Sequence, residues 1–173
     1  MTAMLIDLMR KRQEYVLNDG ERFLDAAQNA ALVANAEKYY RIMYYGSRAS
    51  WNLRDDHMYE TLLNVMEFHG EGARAVVWAH NSHIGDARAT EMSRRGERNL
   101  GEPCAGGFDR ESYRIGMGTD RGTVAAASNW NGPMEVKQIT PSHLQSYERQ
   151  FQLSGLPGLI LPLRAGSGSD IAK

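Results

Sequence analysis

The densest concentration of reactive side chains is Trp78-Ala79-His80-Asn81-Ser82-His83-Ile84-Gly85-Asp86, which places two imidazoles, an amide, a hydroxyl and a carboxylate within one short stretch. Histidine is the residue type best suited to move a proton near neutrality, because its ordinary pKa of about 6.5 lets it donate or accept there. A neighbouring carboxylate fixes which ring nitrogen carries the proton, and Asp86 is one candidate for that orienting role. The competing reading makes each histidine a structural residue bonding backbone carbonyls where a strand ends. A second alternative is a metal-binding module using His80 and His83, since two imidazoles three apart bind zinc or iron when carboxylates complete the shell. Against the metal reading, H-E-x-x-H is absent and Asp86 or Glu91 would have to fold back to serve.

Asn52-Leu53-Arg54-Asp55-Asp56 is the next candidate. Arg54 offers a planar fork that can clamp a carboxylate or hold a catalytic acid. Its bland alternative is a surface ion pair, and Asp55 and Asp56 read equally well as first-turn residues complementing a helix dipole. The cluster Arg94-Arg95-Gly96-Glu97-Arg98 has acidic residues interleaved and reads as a solvated helix end. His57, His69 and His143 read as surface or capping residues. Cys104 sits beside Glu102 with no cation to lower its pKa, so an inert thiol is expected. No G-x-S-x-G elbow and no phosphate-binding loop occurs, and Gly116-Met117-Gly118 lacks the helix a nucleotide turn requires.

These groups need a scaffold. In 173 residues, Lys+Arg 20 stand against Asp+Glu 21, and hydrophobic residues make up 42%. That suits one ordinary domain able to bury a core, and it removes the usual electrostatic ground for binding nucleic acid. No apolar run reaches the roughly 20 residues a spanning helix needs, and Met1–Arg10 lacks a basic leader. With a single cysteine, Cys104, no internal disulfide forms, so the expectation is a cytoplasmic protein that does not engage membranes.

The first third reads as helical. Leu5, Leu8, Met9 and Val16 recur at helical spacing until Asn18-Asp19-Gly20 breaks the pattern. Phe23, Ala27, Ala30, Val33, Tyr40 and Tyr44 then mark one face of a second helix ending near Gly46, with small residues that permit close packing. Asn52 or Asp55 can cap a third helix carrying Met58, Leu62, Val65 and Phe68 to Gly70. Ala73–Ala79 is an apolar run expected to be a central parallel strand, with the histidines leaving its carboxyl end toward a crevice. Tyr113–Met117 and Thr123–Ala127 read as a hairpin about Asp120-Arg121-Gly122, Met134–Ile139 as a half-exposed strand, and Leu159–Leu161 as a last one. Ser142 is expected to cap a helix through Tyr147 to Leu153. The expected fold class is therefore α/β, a mostly parallel sheet flanked by helices, with an N-terminal helical segment and a β-hairpin. It divides into residues 1–70, helical, 71–164, sheet-containing, and a flexible tail at 165–173.

Taken together, Asn52-Leu53-Arg54-Asp55-Asp56-His57-Met58 and Val76-Val77-Trp78-Ala79-His80-Asn81-Ser82-His83 resemble the erythromycin esterase family, also named for succinoglycan biosynthesis-like proteins. The likeness continues through Ile84–Met92, Asn99-Leu100-Gly101, Gly116–Thr119, Gly122-Thr123-Val124 and Met134-Glu135-Val136. It implies a hydrolase that uses activated water, without metal or other cofactor, on a small-molecule ester or lactone. In the best-known members that reaction opens a macrolide ring and gives antibiotic resistance. It also implies that His80 and His83 are catalytic residues lining a cleft, with Arg54 on the substrate side; Asn81 and Asp86, in the same stretch as the histidines, are expected to contact substrate with it. The family's fold is in turn similar to that of a haem-binding group of proteins, which makes a haem- or metal-binding module using His80 and His83, with Met92 nearby, the alternative function. The family's water-activating histidine and its acidic partners precede the matching segment. These 173 residues are accordingly expected to be a fragment lacking the general base, weakly active or inactive alone. The departure from the family is Glu102–Phe108, where adjacent glycines are expected to weaken a short helix.

Overall fold

The structure is a computed structural model, and it describes residues 3, 6, 7, 10–129 and 131–163. Leu5, Leu8 and Met9, the start of the first expected helical face, and the tail at 165–173 lie outside the described residues. Two compact units follow one another along the chain, residues 1–116 and 117–173.

In the first unit, helix α1 spans Arg12–Met43 and is kinked at Asp19, whose φ of −163° and ψ of 91° leave the helical region. The kink falls where Asn18-Asp19-Gly20 interrupts the apolar spacing. Asp19 Oδ1 accepts a hydrogen bond from the Arg22 amide at 3.1 Å, so Asp19 caps the longer segment that follows. On that segment Phe23 and Ala30 are buried, and α1 packs on α2, Ser47–His69. The buried face is shorter than the apolar spacing implies, since Val33, Tyr40 and Tyr44 are exposed. Helix α2 begins earlier than expected, so Asn52 and Asp55 lie inside it and do not cap it. It ends at Gly70, whose φ of +79° suits glycine and whose amide reaches the carbonyls of Met66 and Glu67 at 3.1 and 3.2 Å.

Three short helices follow: α3, Asn81–Ile84, α4, Glu91–Arg94, and α5, Gly101–Phe108, with a 3-10 turn at Ala87–Ala89. Helix α5 forms despite Gly106 and Gly107, and its first residue shows why a glycine is needed there. A methyl group at Gly101 would overlap the carbonyl groups of Ile84 and Gly85, so the start of α5 rests directly on the end of α3. Around that contact Ala87, Met92, Asn99 and Leu100 are buried.

The second unit holds one antiparallel ladder, β1 (Thr123–Ala126) with β2 (Glu135–Gln138), in the register Thr123↔Gln138 to Ala126↔Glu135. Buried Asp120 pins its base. The Asp120 carboxylate accepts from Ser142 Oγ and pairs with Arg121 Nε at 2.7 Å and Arg149 Nη1 at 3.7 Å. The Ser142 amide adds a bond to the Asp120 carbonyl at 3.2 Å. Helix α6, Tyr147–Leu153, is capped by Ser146, which accepts from the Arg149 amide at 3.3 Å. Ser142 therefore anchors Asp120 and leaves the capping to Ser146.

The expected mostly parallel sheet is corrected by this architecture. Among the described residues the sheet is this two-stranded antiparallel ladder, and the molecule is otherwise helix-rich. Ala73–Ala79 has no ladder partner, and Val76 and Trp78 are 94% and 87% exposed. Residues 113–117 and 159–161 are not strands either. The expected hairpin partner also changes, because Thr123–Ala126 pairs with Glu135–Gln138 and leaves 113–117 aside. The physical reason is that apolar composition supplies a strand's preference for burial, whereas a strand exists only where backbone donors and acceptors meet a neighbouring chain.

Candidate functional site

The opening turns of α2 present two adjacent rows at four-residue spacing, Trp51 with Asp55 and Asn52 with Asp56. The segment from His80 to Gly101 is tied to both. Asn52 Oδ1 accepts from the Arg98 amide at 3.0 Å while its Nδ2 donates to the Gly96 carbonyl at 3.0 Å, so one amide side chain reads two backbone positions. Trp51 Nε1 donates to the Arg98 carbonyl at 2.8 Å, and Arg98 Nε donates to Asp56 Oδ1 at 3.0 Å.

Asp55 is the centre of the arrangement and is 1% exposed. Its Oδ1 lies 2.7 Å from His83 Nδ1 and also accepts from the Leu100 amide at 3.1 Å. Its buried Oδ2 has no hydrogen-bond partner, with Arg54 Nε near it at 3.9 Å. A carboxylate so enclosed depends on the groups around it to offset the loss of water, and here those are an imidazole, an amide and a guanidinium. The His83 ring stacks on the Trp51 indole, with centroids 4.9 Å apart and planes within 5°, and the Arg54 guanidinium lies 4.7 Å from the same indole. Ring plane, ring nitrogen and counter-charge of His83 are thus all fixed from α2.

His80 sits differently. It is exposed and caps α3, its Nδ1 accepting from the Ser82 amide at 3.2 Å with Ser82 Oγ at 3.0 Å. Asn81 opens α3 with an exposed side chain, and its carbonyl accepts from the Gly85 amide at 3.0 Å. Buried Asn99 braces the same turn, donating to the Ser82 carbonyl at 2.8 Å and accepting from the Glu102 amide at 3.1 Å.

The structure brings Arg54 and His83 together through Asp55. Asp86 is engaged elsewhere: both of its oxygens take the Arg88 fork, at 2.9 and 2.8 Å, with Arg114 at 3.7 Å. The Arg88 hydrogen bond holds the Asp86 carboxyl below its usual range. The orienting carboxylate of His83 is therefore Asp55, which sequence reasoning treated as a dipole-complementing residue. Trp51 and Asn99 were also missed. The available signal was the four-residue spacing of Trp51 and Asp55, which puts ring and carboxylate on one helical face.

An open hollow of about 510 Å3 lies beside these residues, lined by Asp56, Tyr59, Glu60, Arg88, Arg98, Glu102, Pro103 and Gly106. Neither His80 nor His83 lines it. Among the described residues no three His, Cys, Asp or Glu side chains are grouped to hold a metal ion, and no helix is long and apolar enough to cross a membrane. A family model described as erythromycin esterase matches residues 1–173. No solved structure matches the chain.

Proposed function

The chain belongs to the erythromycin esterase family, and from that premise we propose that it hydrolyses a carboxylic ester or lactone of a small molecule by activated water, with His80 and His83 as its catalytic residues. The observation that carries this reading is the His83–Asp55 pair at 2.7 Å, a proton-active ring held by a buried carboxylate. Arg54, beside Asp55 and over Trp51, supplies positive charge for an acyl oxygen; Asn81, exposed between the two histidines, and Asp86, together with the Arg88 fork it holds, are the proposed substrate contacts.

The test is hydrolysis of a macrolide lactone and of a simple aryl ester by the purified chain. Slow turnover above the uncatalysed rate, reduced roughly 100-fold in His83→Ala, is the expected result. Turnover that His80→Ala and His83→Ala both leave unchanged would overturn the assignment.

A further inference from the structure

We propose that the two histidines are locked as opposite tautomers, so that His80 presents an Nε2–H donor and His83 presents an Nε2 lone pair. The first half follows from Ser82. A backbone N–H can only donate, and the Ser82 amide points at His80 Nδ1 from 3.2 Å. That nitrogen must carry a lone pair, which places the proton of the neutral ring on Nε2. The Ser82 hydroxyl, 3.0 Å from the same nitrogen, rotates to suit and does not change the assignment.

The second half follows from Asp55. Its carboxylate accepts only, and Oδ1 already receives the Leu100 amide at 3.1 Å. His83 Nδ1, at 2.7 Å from that oxygen, is therefore the donor, and the neutral ring keeps its lone pair on Nε2. A half-turn of the ring would keep its plane on Trp51 but put Cδ2 in place of Nδ1 at Asp55, so the hydrogen bond to the carboxylate is what fixes the ring's orientation.

The consequence is a division of labour, which rests on the hydrolase reading above. His80 is built to donate a hydrogen bond to an acyl oxygen as negative charge develops there, and His83 to accept one from a hydroxyl group of the bound ester or lactone and so orient it. Asp55 and the Ser82 amide are positioning groups: they set the polarity of each ring without reaching the substrate. Neither role requires a metal, and the two rings are not interchangeable despite their spacing of three residues.

Long-range proton–nitrogen correlation spectra of the full 173-residue chain at about pH 8, where an ordinary imidazole is neutral, read each tautomer directly. The signals are assigned by His80→Gln and His83→Gln. His80 protonated at Nε2 and His83 at Nδ1 is the expected result, and matching tautomers or the reverse pair would overturn the proposal. Asp55→Ala is expected to leave the His83 proton shared between both nitrogens. Should that variant fail to fold, Ser82→Pro, which removes the amide donor near the start of α3, is expected to redistribute the His80 proton in the same way. An unchanged His80 tautomer in Ser82→Pro would count against the assignment. Opposite tautomers without ester turnover would remove the hydrolase reading and the catalytic division of labour while leaving the tautomers standing. Turnover with matching tautomers would remove the proposal alone.

Discussion

The indole of Trp51 lies parallel to the imidazole of His83 at 4.9 Å and, from its other functional edge, donates a hydrogen bond to the Arg98 carbonyl at 2.8 Å. One side chain thus sets the plane of a candidate catalytic ring and fastens the loop that returns toward it. Trp51→Phe keeps a ring to stack and loses the bond, leaving a carbonyl to find water. The expected cost is about 1 kcal/mol, read as a lower urea midpoint at unchanged m.

Gly101→Ala tests the junction of α3 and α5. The added methyl meets the carbonyl groups of Ile84 and Gly85, which are backbone and cannot rotate away as a side chain would. A destabilisation of about 2 kcal/mol is expected from the forced shift, in spite of alanine's better helix propensity. Unchanged stability on denaturation would show that the two helices do not approach so closely.

Acid should loosen the second unit through Asp120. The hydrogen bond from Ser142, with Arg121 and Arg149 adding positive charge, holds this carboxyl below its usual range. The folded state therefore binds the proton less readily than the unfolded chain does. The stabilisation is complete above the ordinary carboxylate pKa of about 4 and is lost as pH falls further, through the depressed folded value. Asp120→Asn is expected to flatten that acid limb of a stability–pH curve and to lower stability at neutral pH. An acid limb identical to that of the unsubstituted chain would contradict this account.

Cys104 should alkylate slowly. Burial pushes its thiol pKa up, and the opposing pull of Arg114 is the smaller effect. Less thiolate is then present at about pH 8 than for a free cysteine, and thiolate is the reactive form. Iodoacetamide labelling slower than that of a free thiol at the same pH is the expected outcome, and faster labelling would reveal an activated nucleophile.

What the sequence disclosed was local. The break at Asn18-Asp19-Gly20 reappears as the Asp19 kink, Gly70 ends α2 with the positive φ expected of a helix-stopping glycine, and Tyr147–Leu153 is helical. Each depends on residues within one or two turns. The parallel sheet failed because pairing is a relation between distant segments, and the apolar run Ala73–Ala79 says nothing about whether a neighbour is present to pair with. At the candidate site the same boundary applies. His80 and His83 stood out as residue types, whereas the carboxylate that orients His83 lies 28 residues earlier on another helix. Asp86, close in sequence, was the natural guess and is taken by Arg88.

That distance bears on how the chain assembles. Asp55 Oδ1 is a single atom that closes one loop of 28 residues to His83 and another of 45 to Leu100. Once the first closure is made, the second costs little more, since closure entropy rises by only about 0.6 kcal/mol per doubling of loop length. If the helix pair forms first, the imidazole clasp closes on it afterwards and holds the segment from His83 to Leu100 against α2. Loosening the clasp should quicken unfolding and leave the refolding rate nearly untouched, so the segment's lifetime in its working shape is governed by the same carboxylate that polarises the ring.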